Sequence, residues 1–381
     1  MLTSTRMCDP VLETLVKRSL RRQGFAIRNG RLIPEAITDK DRLREIHAVA
    51  VQHKRDEAKK YLARFEPTLL SRYAAGTEVR PDLVTPKLVE VRRDSEDEIL
   101  FRYATLHWSI PVSSGYGRRV RFLIIDEQNN KLMGIIGLGD PVFSLGPRDE
   151  FIGWTQDVRR TNLKHVMDAF VLGAVPPYSY LIGGKLVAML AASEEVRKAF
   201  RQKYKDTSTL IRGTHFDGRL ALVTTTSAFG RSSQYNRAKF DGRLLFRSVG
   251  YTQGSGDFHF ANGLYAAMQK YTREHFTPTA KQELWGTGFR NRRETIKKCL
   301  AGLGLSTEWL YHGVRRQIFV VPLARNSCEF LKGEASRLQW FSQTTADIAE
   351  HVRTRWMVPR SKRDPTYLTF RPESYRLWPE E

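Results

Sequence analysis

The chain has 381 residues, with 62 Lys and Arg against 41 Asp and Glu, a formal net charge of +21 and a pI near 10.0. At 41% hydrophobic and 11% aromatic it carries enough apolar material for one large or two moderate folded domains, which excludes a disordered chain. A surplus of one sign on that scale favours a polyanionic partner, nucleic acid and DNA above all, with an acidic protein surface as the alternative. Cys8, Cys299 and Cys328 are far apart and show no CxxC spacing, so neither a disulfide framework nor a zinc-finger pattern is present. No metal and no cofactor is predicted. The first ten residues lack the apolar core of a signal peptide, and no apolar run reaches a membrane span. A cytoplasmic protein without membrane contact is expected.

In chain order, Asp9-Pro10 starts a helix in which Leu12, Leu15, Val16 and Leu20 recur at helical spacing as far as Gly24. A second helix begins at Thr38, with Asp39 and Asp41 in its first turn, and runs to Pro67. Together these make a helical N-terminal segment, residues 1–80, whose apolar stripe and charged faces suit docking to a partner or to a second copy of the chain. From Lys87 the period changes to strands at Leu88–Val91 and Ile99–Trp108. Val120–Ile125 and Lys131–Leu138 flank Glu127-Gln128-Asn129-Asn130 as a hairpin. Val166–Leu172 reads as a strand, and a single helix from Gly184 is apolar to Ala192 and charged from Glu194 onward. A strand at Leu220–Thr225, helices at Gly263–His275 and Arg293–Gly302 and a strand at Gln317–Leu323 follow. Residues 85–335 form the expected α+β core, a mixed central sheet with flanking helices and a GNAT-like sheet as one form of it. Residues 336–381 read as a polar, basic tail.

Three Gly-punctuated loops are the candidate ligand surface. The first, Pro176–Lys185, places Tyr178, Gly183, Gly184 and Lys185 at a helix start, where backbone N–H groups and an ammonium can cradle a phosphate. The structural alternative is that the glycines only let the helix pack closely on the sheet. The loop lacks the GxxxxGK(S/T) pattern of a P-loop. It resembles the acyl-CoA loop of GNAT acetyltransferases in outline, but Tyr180 and Lys185 depart from that pattern. The second loop, Thr224–Asn236, offers Arg231, Ser232 and Ser233 either to phosphate oxygens or as helix caps. The third, Gly250–Phe260, sets His259 between two aromatic residues, for stacking, acid–base work or simple packing.

Tyr235 and His259 are the acid–base candidates, and no catalytic constellation is readable. Asp126, Asp140, Asp149 and Asp168 are dispersed acids whose meeting in space spacing cannot decide. Arg290, Arg292, Arg293 and Lys297 follow Trp285 and Phe289 and make a nucleic-acid surface or a solvated helix face.

Several segments resemble one family: Phe151-Ile152-Gly153-Trp154, Arg160 with Asn162-Leu163, Gly173 to Lys185, Thr224 to Asn236 and Gly250 to Phe260. His312-Gly313, Val320 to Asn326 and Phe330 to Glu334 continue the likeness. In this order they are similar to the DruA family of Druantia type I anti-phage defence systems. In looser form the same domain resembles one attached to some transposases. The resemblance implies a bacterial cytoplasmic protein working with other Druantia components, one of them helicase-like. It carries no biochemical activity with it, so a nucleic-acid-engaging module, a GNAT-like or nucleic-acid-modifying enzyme and a scaffold on an acidic partner all stay open.

Overall fold

The computed structural model describes residues 9–34, 39–208, 213, 215–261, 263–279, 285 and 289–379, without the side chains of Phe289 and Arg290. Cys8 lies outside them. The chain opens with α1 (Pro10–Arg22), where the Asp9 side chain accepts the Leu12 N–H at 2.9 Å and Leu12, Val16 and Leu20 face inward. β1 (Phe25–Arg28) and β2 (Arg31–Pro34) then pair antiparallel across Asn29-Gly30, both residues at positive φ. This hairpin replaces the purely helical segment expected there. α2 (Lys40–Leu62), capped by Asp39, ends before the expected Pro67, and α3 (Glu66–Leu70) follows a short 3-10 turn.

The central region runs β3 (Pro86–Glu90), α4 (Glu96–Thr105), β4 (Arg119–Asp126), β5 (Lys131–Gly139), α5 (Gly146–Ile152), α6 (Gln156–Asn162) and β6 (Val166–Ala174). Next come α7 (Gly183–Leu190), α8 (Glu194–Tyr204), the small pair β7 (Thr207–Ser208) and β8 (His215–Phe216), and β9 (Leu222–Thr226). A second small pair, β10 (Lys239–Phe240) and β11 (Arg243–Leu244), precedes β12 (Arg247–Tyr251), α9 (Gly263–His275) and α10 (Phe289–Gly302). β13 (Gln317–Pro322), α11 (Ser327–Lys332), α12 (Thr345–Val352) and α13 (Val358–Arg363) complete the order.

Two expectations are corrected here. Ile99–Trp108 belongs to α4 and its exit, because Ser95 Oγ caps the Glu98 N–H and Glu96, Asp97 and Glu98 fill the first turn. The single helix from Gly184 is two, broken at Ala191-Ala192-Ser193.

Seven strands form a mixed sheet in the order β12-β13-β9-β6-β5-β4-β3. Every neighbouring pair is antiparallel except β6 and β9, which pair in parallel from Val166–Leu222 to Asp168–Thr224 and then part. Alternation along the strands splits the core. Phe122, Ile124, Phe319 and Val321 face α7, α8 and α12. On the opposite face, Leu123, Ile125 and Ile135 pack under α4 and the C-terminal end of α2, while Leu222 and Val320 pack under α5 and α11. A separate core joins α1, the β1–β2 hairpin and the start of α2 to α9 and α10.

Residues 336–381, polar in composition, are nonetheless packed. Ile348, Val352, Met357 and Tyr367 are buried in the main core, and the Leu377 and Trp378 N–H groups donate to the buried Glu66 carboxylate. Apolar residues at helical spacing within this basic stretch supply the contact surface.

Candidate nucleic-acid interface

The first loop is mostly framework. Tyr178 is fully buried, and its hydroxyl donates to Asp126 Oδ2 at 2.9 Å; burial and that carboxylate hold its pKa well above the ordinary range. Ile182 sits at φ 64°, and a Cβ on Gly183 would stand 2.5 Å from the Tyr178 carbonyl oxygen, so glycine is demanded by close approach. The Gly184 carbonyl accepts from Gln234 Nε2 at 2.7 Å, tying the first loop to the second. Of Tyr178, Gly183, Gly184 and Lys185, Lys185 alone carries a charged side chain, and it is half-buried. Its Nζ lies 4.0 Å from the Trp356 ring centroid. Burial, and then the nearby cations Arg237 and Arg355, lower its pKa. Arg237 and Arg355 are exposed, with no carboxylate partner among the described residues. Lys185 and Arg355 thus lie against the Trp356 indole, and Arg237 adds a third positive charge acting on the Lys185 ammonium.

Tyr235 lies in the core, stacked on Phe246 with centroids 4.7 Å apart, and burial pushes its hydroxyl up to about 12. Thr225, on β9, donates its Oγ1 hydrogen to the Ala169 carbonyl at 2.8 Å where β6 and β9 part. Ser232 acts as a cap, accepting the Tyr235 N–H at 3.3 Å and donating its own N–H to Gln317 Oε1. Arg231 and Ser233 are exposed, without partners among the described residues.

His259 is fully buried beside Phe25, Phe258 and Phe260, with Nε2 2.7 Å from the Trp309 carbonyl; burial lowers its pKa to about 4. It is a neutral packed imidazole, in a core separate from that of Tyr235. Neither acid–base candidate is placed to reach a substrate.

On α10, Arg292 pairs with Asp257 at 2.5 Å, donates to the Phe260 carbonyl and covers the Tyr265 ring at 3.9 Å, so it is spent on structure. Arg293 is half-buried and engaged, while Lys297 is exposed. The Arg290 side chain lies outside the described residues.

The dispersed acids have distinct environments. Asp126 is buried beneath Tyr178, Asp149 is clamped between Arg148 and Arg159 at 2.7 Å each, and Asp140 pairs with Arg118 at 2.7 Å. Asp168 differs. It accepts from Thr224 Oγ1 at 2.7 Å, has no ion pair among the described residues, and burial pushes its pKa up to about 6. A lone acid inside the apolar run Val166-Met167-Asp168-Ala169-Phe170 was the available signal. A cavity of about 650 Å³ between α2, α4 and the sheet was not legible, because its lining comes from distant segments.

Among the described residues no group of His, Cys, Asp and Glu side chains is placed to hold a metal ion, and no helix is long and apolar enough to cross a membrane. The seven-stranded sheet, the glycine-demanding first loop and its cationic corner all fall within or against one matched region. The chain belongs to the DruA family, whose model, described as Druantia protein DruA, matches residues 38–333. It is 38% identical over 380 residues to Druantia protein DruA of Escherichia coli (strain UMEA 4076-1), a match covering 99% of this chain and 92% of that protein. No solved structure matches it.

Proposed function

We propose that this DruA-family protein is the nucleic-acid-engaging component of a Druantia anti-phage defence system, with DNA as the polyanion and a helicase-like component among its partners. The observation that carries the reading is the corner in which Lys185 and Arg355 lie against Trp356 and Arg237 acts on the same ammonium, so that the charges acting on it are other cations. Three like charges held together cost free energy in the free protein, and phosphate oxygens relieve that repulsion. An aromatic ring beside such cations suits stacking on a base. The net charge of +21 supplies long-range attraction to the same ligand.

The test is the triple variant Lys185→Glu/Arg237→Glu/Arg355→Glu, placed in a complete Druantia system and challenged with phage, with DNA binding of the purified protein measured in parallel. Loss of both protection and binding is expected. Parent-like behaviour in both assays overturns the proposal.

A second reading, a nucleic-acid-modifying enzyme of GNAT-like form, is favoured by one observation: the protonatable Asp168 where β6 and β9 part. Mass analysis of labelled DNA incubated with the protein and its partners tests it, and turnover surviving Asp168→Asn removes Asp168 from the chemistry.

A further inference from the structure

The 650 Å³ cavity opens on the sheet face opposite to α7, and so lies away from the Lys185 corner. Its floor is made by two aromatic rings on glycine. A Cβ at Gly173 would collide with the Trp108 indole, and Cβ atoms at Gly115 and Gly137 would collide with the Phe170 ring. Glycine at these places lets each ring press on the backbone while remaining part of the cavity lining. Both rings are only half-buried, so a further flat group can be accommodated against them.

The walls carry a positive surplus, with Lys54, Lys60, Arg102, Arg119 and Arg121 set against Glu57 and Glu98. Arg119 at the start of β4 and Lys60 near the end of α2 are exposed, and their charged ends have no partner among the described residues. Arg102 and Arg121 share the Glu98 carboxylate, at 3.1 and 2.9 Å, which fixes their guanidinium groups at the rim. One carboxylate between two guanidinium groups leaves a positive charge over. Lys54 turns inward to donate to the Val112 carbonyl, closing α2 onto the loop that carries Ser113 and Ser114. An aromatic floor, unpaired cations at the mouth and a volume within the roughly 300–1,000 Å³ of small-ligand sites describe a receptor for a flat ring carrying an anionic group.

We infer that this cavity receives one unstacked nucleotide, its base against Trp108 and Phe170 and its phosphate toward Arg119 and Lys60. The inference goes beyond the Lys185 corner and rests on different residues, so the two stand or fall separately. A nucleotide within a single strand and a free mononucleotide share this chemistry. A duplex does not, because its bases are stacked away.

Each site holds one reporter indole, Trp108 in the cavity and Trp356 at the corner. The experiment follows tryptophan emission of the full chain while adding a short thymidine oligonucleotide, thymidine monophosphate or duplex DNA, in the parent, Trp108→Phe, Trp356→Phe and Arg119→Glu. The parent should be quenched by the oligonucleotide. Trp108→Phe should lose a quenching component that Trp356→Phe keeps, and Arg119→Glu should weaken that component about tenfold or more. Quenching of the same component by the monophosphate identifies a free-nucleotide pocket, and quenching by the oligonucleotide alone identifies a single-strand site. A response unchanged by Trp108→Phe, or removed wholly by Trp356→Phe, overturns the cavity proposal and leaves the corner standing. Equal quenching of Trp108 by duplex also overturns it. Retained thermal melting in Arg119→Glu shows that its effect is on binding.

Discussion

Replacing Asp168 by Asn should stabilise the protein at neutral pH. The carboxyl accepts one hydrogen bond, from Thr224 Oγ1 at 2.7 Å, and its pKa is about 6 against an ordinary 3.8. The folded state therefore keeps this proton to a higher pH than the unfolded chain does. The stability so gained is fully present below pH 3.8 and is lost as pH rises through about 6. A difference of about two units corresponds to about 3 kcal/mol, an upper bound because the side chain keeps some contact with water. Asn preserves the acceptor for Thr224 and removes the charge. With an unfolding entropy of about 2.1 cal/mol/K per residue over 381 residues, 3 kcal/mol becomes about 4 °C in Tm. The assay is the Tm of Asp168→Asn minus that of the parent, measured from about pH 4 to about pH 8. Taking differences cancels the buried histidines, whose depressed pKa values act in the opposite direction. The difference should grow from near zero at the acid end to its full value above neutrality. A constant difference refutes the reasoning.

At the first loop, Gly183→Val should lower Tm markedly, since its Cβ meets the Tyr178 carbonyl oxygen, whereas Lys185→Ala should leave Tm nearly unchanged and weaken DNA binding. Parent-like melting of Gly183→Val contradicts the close-approach argument. Glu66→Ala strands the Leu377 and Trp378 N–H groups and leaves the Tyr103 hydroxyl only the Tyr375 carbonyl at 3.3 Å, a cost of about 1–3 kcal/mol. Limited proteolysis should then release the C-terminal residues sooner than in the parent. His47, His259 and His312 are held to about 3, 4 and 2 by burial first, so their stabilising contribution is present above their ordinary 6.5 and lost as pH falls below it. Both ring nitrogens of His47 lack partners among the described residues, so His47→Phe should reduce this acid lability without losing a hydrogen bond, as pH-dependent melting will show.

The sequence made strands legible where one face is buried and turns are marked, as in β4, β5 and their Asn-rich turn. It made α1 legible through Asp9-Pro10. Two local signals decide what the hydrophobic pattern alone does not: Asn29-Gly30, which fixes the β1–β2 hairpin, and Ser95 with three acids, which commits the next segment to α4. Of the proposed corner, only Lys185 was legible. Glycines that suggested a phosphate cradle serve close packing at Gly183, and Tyr235 and His259 are held by ring contacts and backbone partners that sequence spacing does not reveal. Arg237 and Arg355 join Lys185 from loop two and the C-terminal helices, a convergence set by tertiary packing alone.

The most direct measurement is the salt dependence of duplex DNA affinity for the parent and for Lys185→Glu/Arg237→Glu/Arg355→Glu. Each phosphate neutralised contributes about 0.9 to the slope of log affinity against log salt, so three contacts contribute about 2.7. Across about 50 to 200 mM salt those three cations alone account for a loss of about forty-fold. The account predicts a parent slope steeper than the variant's by at least that amount, with unchanged melting of both proteins. Identical slopes and affinities would contradict it.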